Sequence, residues 1–238
     1  MDYHYFKDKV NRFYGRYVGY DKRPTFFEIE KNFPMLHQVT THFSVIKTEF
    51  EKAIANTPDL PRYHEIDPGE SEISDACPKQ WNVFMLYLLG YQTKEAQALC
   101  PTTFSLLKDI PGVIQAFFSI LEPGKSIPLH DGPYLGYLRY HLGIHVPKNN
   151  PPTITVNKQP YTWREGEAVL FDDSWPHQVH NESDEFRAVL IIDILRPMPF
   201  LPNLVNRFIT QTIARYLYGK KVINRVLQHD SKIKPLMQ

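Results

Sequence analysis

The chain has 238 residues, 27 Lys and Arg against 26 Asp and Glu, a formal net charge of +1 and 42% hydrophobic residues. This is the composition of a globular chain long enough to bury a large core, and it excludes disordered, collagen-like and strongly nucleic-acid-binding classes. No apolar run approaches the roughly 18 residues of a membrane-spanning helix, and Met1–Gly19 lacks a signal-peptide core. Two cysteines, Cys77 and Cys100, cannot build a disulfide framework and suit a reducing compartment, so a cytoplasmic location is expected.

No repeat or low-complexity linker divides the sequence, so residues 1–238 are expected to form one domain. Its parts are a helical region over 1–112, a strand-rich core over 113–197 and a basic amphipathic helix over 200–228. Residues 1–23 are aromatic and basic, with six Lys or Arg against three Asp. Leu36, Val39, Phe43, Ile46, Phe50 and Ile54 recur every three or four positions and predict a helix over 33–56, with Pro34 near its start and Pro58 past its end. Residues 60–80 read as loop. The apolar run Trp81–Gly90 is either a buried strand or the start of a helix. Thr93–Lys108 reads as helical with a break at Pro101.

From Val113 the period changes to two. Strands are expected over Val113–Leu121, Ser126–His130, Tyr137–Val146, Thr153–Val156, Pro160–Trp163, Glu167–Phe171, His177–His180 and Phe186–Leu195. Turn formers separate them, among them Glu122-Pro-Gly and Asn157-Lys158. Short strands at close spacing after a helical start suggest a mainly β protein, a sandwich or jelly roll with flanking helices. Residues 201–228 return to helical spacing, with a stripe of Leu204, Val205, Phe208, Ile209, Ile213, Tyr216 and Leu217. Arg207, Arg215, Lys220, Lys221 and Arg225 follow with no acid before Asp230. A helix of this kind either docks on the core by its stripe or lies on an anionic membrane surface, a peripheral contact that the basic amino-terminal stretch would share.

Alternation along Tyr137–Val146 puts Arg139, His141, Gly143 and His145 on one face and Leu138, Tyr140, Leu142 and Ile144 on the other. Along Phe186–Leu195, Arg187 shares a face with Val189, Ile191 and Asp193. An arginine opening such an apolar strand is costly to bury unless a carboxylate or phosphate pairs with it. No acid is obviously placed to do so, which points to a bound anion or a structural salt bridge. His130 and His177 each stand at a junction of strand and turn and can meet across a β-barrel. Two imidazoles are a common ligand set for iron or zinc. Two metal ligands and two guanidinium groups in one barrel match what an oxygenase needs, a redox metal and a grip on an anionic co-substrate.

At these residues the sequence resembles the aspartyl/asparaginyl β-hydroxylase family of Fe(II)/2-oxoglutarate oxygenases, including the lipid A acyl-chain hydroxylases. Three segments show it: Cys100-PTTFSLLKDIPG, Phe118-SILEPGKSIPLHDGPYLGYLRYHLGIHVP and Tyr161-TWREGEAVLFDDSWPHQVHNESDEFRAVLIIDILRP. The resemblance implies a double-stranded β-helix, the jelly roll. It implies that His130 and His177 ligate Fe(II) and that Arg187 pairs with the distal carboxylate of 2-oxoglutarate. Ser119, Arg139 and His141 fall on family positions that contact the same co-substrate. The implied chemistry is hydroxylation of an unactivated carbon of an amino-acid, peptidyl or lipid-linked substrate, consuming O2 and converting 2-oxoglutarate to succinate and CO2.

The usual carboxylate ligand two residues after the first histidine is replaced by Gly132, as in the aspartyl/asparaginyl β-hydroxylases proper. Two alternatives stand beside the hydroxylase. One is a non-catalytic cupin-like jelly roll binding an anion or metal, and the other is an iron halogenase using the vacant position at Gly132. The remaining residues take plainer readings. Asp131 is expected to point away from the metal, Asp172 and Asp173 to cap a turn, and His145 and His180 to lie on a pocket wall or the surface. Trp175 is expected to pack as an ordinary aromatic residue.

Overall fold

The computed structural model describes residues 3–233, with side chains over residues 8–229. Among the described residues, eleven strands are arranged in two antiparallel sheets: β1 (Phe26–Phe27), β2 (Trp81–Leu88), β3 (Tyr91–Gln92), β4 (Val113–Leu121), β5 (Ile127–His130), β6 (Tyr137–His145), β7 (Thr153–Val156), β8 (Gln159–Thr162), β9 (Ala168–Phe171), β10 (His177–His180) and β11 (Arg187–Leu195). The larger sheet runs β1-β9-β6-β11-β4-β2-β3 and the smaller β5-β10-β7-β8. This is the expected jelly roll. The Asn157-Lys158 turn joins β7 to β8 with both residues at positive φ, the two-residue hairpin geometry that asparagine tolerates.

Two apolar layers follow from the period-two patterns. On the outer face of the large sheet, Leu138, Tyr140, Leu142 and Ile144 of β6 and Ala188, Leu190, Ile192 and Ile194 of β11 pack against Leu36, Ile46, Phe50 and Phe104 of the helices. On the inner face, Val189 and Ile191 meet Ile127, Ile154, Val156 and Val179 of the small sheet. Burying each such side chain contributes about 1.5–3 kcal/mol. The face of β6 bearing Arg139 and His141 is therefore turned into the space between the sheets.

The helical reading of residues 1–112 is corrected in places. Trp81–Gly90 resolves as a strand, and β1 to β3 all join the large sheet, because the aromatic and branched residues of β2 complete both apolar layers at once. The loop expected over 60–80 contains short helical turns at Tyr63–Ile66, Pro68–Glu70 and Ser71–Ser74. The helix over 33–56 is interrupted at His42, dividing into Pro34–Leu36, His37–Thr41 and Phe43–Asn56. Pro101 separates Lys94–Leu99 from Pro101–Lys108 as expected. The C-terminal segment is helical from Phe200 to Ile233, with a π-helical stretch over Ile209–Gly219. Among the described residues, no helix is long and apolar enough to cross a membrane.

Candidate active site

β5 and β10 are neighbours in the small sheet, and their register sets His130 opposite His177. The two rings lie 4.1 Å apart between centroids. Each Nδ1 donates to a carbonyl two residues upstream, His130 to Pro128 at 2.8 Å and His177 to Trp175 at 2.8 Å. A carbonyl only accepts, so each ring carries a proton on Nδ1, and in the neutral ring Nε2 is the nitrogen that keeps the lone pair. This is the tautomer a divalent metal needs. Burial, followed by the charge of neighbouring His177, pulls the His130 pKa down to about 4, which keeps that ring neutral.

Asp173 completes the cluster and corrects the sequence reading. Asp172 does cap the turn, accepting from the Ser174 backbone N–H at 3.1 Å, and it pairs with Arg23 and Arg196. Asp173 instead turns inward. Its Oδ2 accepts from the Tyr137 hydroxyl at 2.5 Å, and its Oδ1 lies 3.3 Å from His177 Nε2 and 2.8 Å from Arg139 Nη1. That Oδ1 is buried with no aligned hydrogen-bond donor. Burial pushes the carboxyl up, but Arg139, His177, the Tyr137 hydroxyl and His130 together hold it below the ordinary aspartate value. That oxygen thus faces the Arg139 guanidinium and the His177 ring together. Among the described residues no set of three His, Cys, Asp or Glu is already drawn up around one ion position, so the ring pair is the core of any such site.

Gly132 follows from this packing. A Cβ there would lie 2.2 Å from Asp173 Oδ2 and 2.7 Å from the Asp173 carbonyl oxygen, and the Gly132 N–H donates to that carbonyl at 2.9 Å. The space that a carboxylate two residues after His130 would need is filled by Asp173. Asp131 is exposed and lines a surface cleft of about 310 Å³ with Asp8, Asn11, Arg23 and Ser174, as expected for a residue pointing away from the histidines.

Arg187 opens β11 and is 1% exposed. It has no carboxylate partner among the described residues, and its Nε is unpartnered. Its guanidinium stacks over the Trp163 ring at 4.5 Å, and Nη1 reaches the carbonyl and hydroxyl oxygens of Ser119 at 3.4 Å each. Burial lowers its pKa to about 9, still far enough above neutrality to keep the charge. Ser119 lies across the β4–β11 ladder beside Val189, where its Oγ also accepts from Trp81 Nε1 at 2.9 Å. His141 is buried with neither ring nitrogen partnered, stacked on Trp163 at 5.8 Å and set edge-on to Phe171. Burial first, then Arg139 and Arg187, hold it well below the usual histidine pKa. A buried guanidinium, a hydroxyl and an unsatisfied imidazole thus share one apolar space with an indole wall. An uncompensated charge of this kind costs several kcal/mol, which a bound carboxylate would relieve.

Arg139 differs from the expectation of a co-substrate contact. Asp193, its register partner on β11, accepts from Nε at 2.7 Å and from Nη2 at 2.9 Å, while Asp173 takes Nη1. Burial opposes its charge, but Asp173 and Asp193 outweigh it and raise its pKa well above the ordinary arginine value. It is thereby held between the carboxylates of Asp173 and Asp193. Trp163 and Asp173 went unrecognised in the sequence. The one available signal was that Arg139 and Asp193 occupy inward positions of two strands that turned out to be adjacent. The other singled-out residues take their plain readings: His145 stacks on Phe186 at 4.1 Å, His180 is exposed beside Glu182, and Trp175 packs under Arg23.

Residues 40–197 match the family model described as aspartyl/asparaginyl beta-hydroxylase. An ornithine lipid ester-linked acyl 2-hydroxylase of Rhizobium tropici is 36% identical over 175 residues, 73% of this chain and 62% of that protein. The human aspartyl/asparaginyl beta-hydroxylase is 34% identical over 122 residues, 49% of this chain but 16% of that longer protein. The chain thus spans less than two thirds of the length of either relative. Among solved structures, a Pseudomonas putida prolyl-4-hydroxylase is 12% identical, covers 65% of this chain and 88% of its own, and superposes with a TM-score of 0.43. The family match spans most of the chain and contains both histidines, Ser119 and Arg187, and on it the protein belongs to the aspartyl/asparaginyl β-hydroxylase family.

Proposed function

We propose that this protein is an Fe(II)/2-oxoglutarate-dependent dioxygenase that hydroxylates an unactivated carbon in the acyl chain of a membrane lipid. The overall reaction balances as substrate, 2-oxoglutarate and O2 giving hydroxylated substrate, succinate and CO2. The observation that supports it best is Arg187, buried with no carboxylate partner among the described residues, sharing the inter-sheet space with two facing imidazoles that both commit Nδ1 to a backbone carbonyl.

His130 and His177 would hold the iron through Nε2, and Arg187 with Ser119 would take the distal carboxylate of 2-oxoglutarate. Bound iron supplies the activation of O2 that no side chain can perform. The chain's own groups fix the ligand tautomers through Pro128 and Trp175, orient Asp173 through Arg139 and Tyr137, and exclude water with Trp163, Phe171 and Ile191. The lipid-linked substrate is favoured over a peptidyl one because the lipid hydroxylase aligns over 73% of this chain and the human protein over 49%. The halogenase alternative loses its main support, since the space beside Gly132 is taken by Asp173.

The test is 2-oxoglutarate turnover by purified protein given Fe(II) and air, followed as succinate. Succinate is expected at a low rate without substrate and at a rate raised by added lipid. Iron-loaded protein that neither binds 2-oxoglutarate nor forms succinate would leave only the non-catalytic jelly roll.

A further inference from the structure

The helix Phe200–Phe208 inverts the usual amphipathic arrangement. Its inner face is held by polar bonds: the fully buried Asn206 donates from Nδ2 to the Gly136 carbonyl at 2.6 Å and accepts from the Tyr134 hydroxyl at 2.7 Å. Its outer face is apolar. Phe200, Leu201, Leu204 and Phe208 are all more than half exposed, Phe200 at 83%. At the α-helical rotation these four positions fall within an arc of about 100°. Further on, Tyr216 and Leu217 are each 65% exposed. Exposed apolar residues scattered singly are ordinary, but a continuous ridge of this kind marks an interaction surface.

The charges around the ridge select its occupant. Arg207 is exposed beside Phe208, Lys220 and Lys221 are exposed beyond Leu217, and no acidic residue occurs between Asp193 and Asp230. A second copy of this chain meeting the ridge about a two-fold axis would bring these cations onto themselves. A surface of negative headgroups over hydrocarbon satisfies both features at once. We infer that the Phe200–Lys221 segment docks on an anionic lipid bilayer, with Phe200, Leu201, Leu204 and Phe208 inserted at the headgroup boundary and Arg207, Lys220 and Lys221 against lipid phosphates. Through Asn206 the docked helix grips residues 134–136, the connection that leads from His130 into β6. Docking would therefore bring the candidate active site to the membrane, where an acyl-chain substrate resides. That consequence rests on the proposed lipid hydroxylation, whereas the docking itself does not.

Sedimentation of the full chain with phosphatidylcholine vesicles, with and without phosphatidylglycerol, tests it. Binding is expected to vesicles containing phosphatidylglycerol and to weaken with salt. The triple variant Phe200→Ser, Leu204→Ser, Phe208→Ser should lose at least about tenfold in affinity, and Lys220→Gln with Lys221→Gln should lose about fivefold per cation. All five side chains are exposed, so 2-oxoglutarate turnover without lipid should persist in both variants, which separates failure of docking from failure of the hydroxylase reading. Three results would each overturn the inference: no binding to either vesicle, undiminished binding by the triple variant, or self-association lost in the triple variant without vesicle binding.

Discussion

Arg187→Lys is expected to weaken 2-oxoglutarate binding by about a hundredfold or more, although it keeps the positive charge. Truncating one partner of a buried, hydrogen-bonded charge pair costs about 2–5 kcal/mol, and lysine cannot present the planar two-point fork that a carboxylate matches. Stacking adds to the difference, because the guanidinium lies flat over Trp163 at 4.5 Å and an ammonium would not. Arg187→Met should remove binding more completely and yet leave the ligand-free protein as stable as the parent, or more so. The reason is that the buried cation has no carboxylate among the described residues to offset its desolvation, so an apolar side chain of similar length relieves a cost. Calorimetric titration and thermal melts measure both effects. The parent should gain stability as 2-oxoglutarate is added, and Arg187→Met should gain none. Unchanged affinity in Arg187→Lys would remove this residue from the co-substrate site.

The reach of the sequence can be judged from the same residues. The jelly roll was legible because period-two alternation in β4, β6 and β11 assigns each side chain to one of two faces, and both faces proved to be the two apolar layers. Arg187 was legible because an unpaired arginine in an apolar strand is a physical anomaly wherever it occurs. Trp81–Leu88 was not, since a strand buried on both faces has no alternation to read and looks like the start of a buried helix. Asp173 was hidden for a different reason. An aspartate after a strand is well explained as a turn cap, and Asp172 beside it does cap; only the turn's geometry decides which of the two faces Arg139 and Tyr137. The Arg139–Asp193 pair was hidden because the two residues are 54 positions apart, and it becomes visible only once β6 and β11 are known to be neighbours.

The second large effect is on metal affinity, where His177→Ala should reduce Fe(II) binding by more than about a hundredfold. The proposed site rests on two ring nitrogens, so removing one would leave a single imidazole, too few donors to compete with water for the ion. The cost to folding should be small, about 1–2 kcal/mol, because the β10 backbone keeps its register with β5 and β7 while one ring and its bond to the Trp175 carbonyl are lost. Competition titration against the absorption of bound Co(II) measures the affinity, and retention of it in His177→Ala would contradict the site. Asp173→Asn keeps the side-chain volume and leaves Arg139 paired with Asp193, so a loss of about 10–100-fold there would report the carboxylate alone. Gly132→Asp supplies the complementary case. Its Cβ would lie 2.2 Å from Asp173 Oδ2 and 2.7 Å from the Asp173 carbonyl oxygen, so the single change is expected to destabilise the fold and add no ligand. With Asp173→Gly beside it the side-chain clash is relieved while the 2.7 Å approach to the backbone carbonyl of residue 173 remains, so the pair should recover only part of the lost stability, and any metal affinity regained should come with it. Such coupling is the signature of two carboxylates competing for one place, and simple additivity would show that Gly132 and Asp173 act independently.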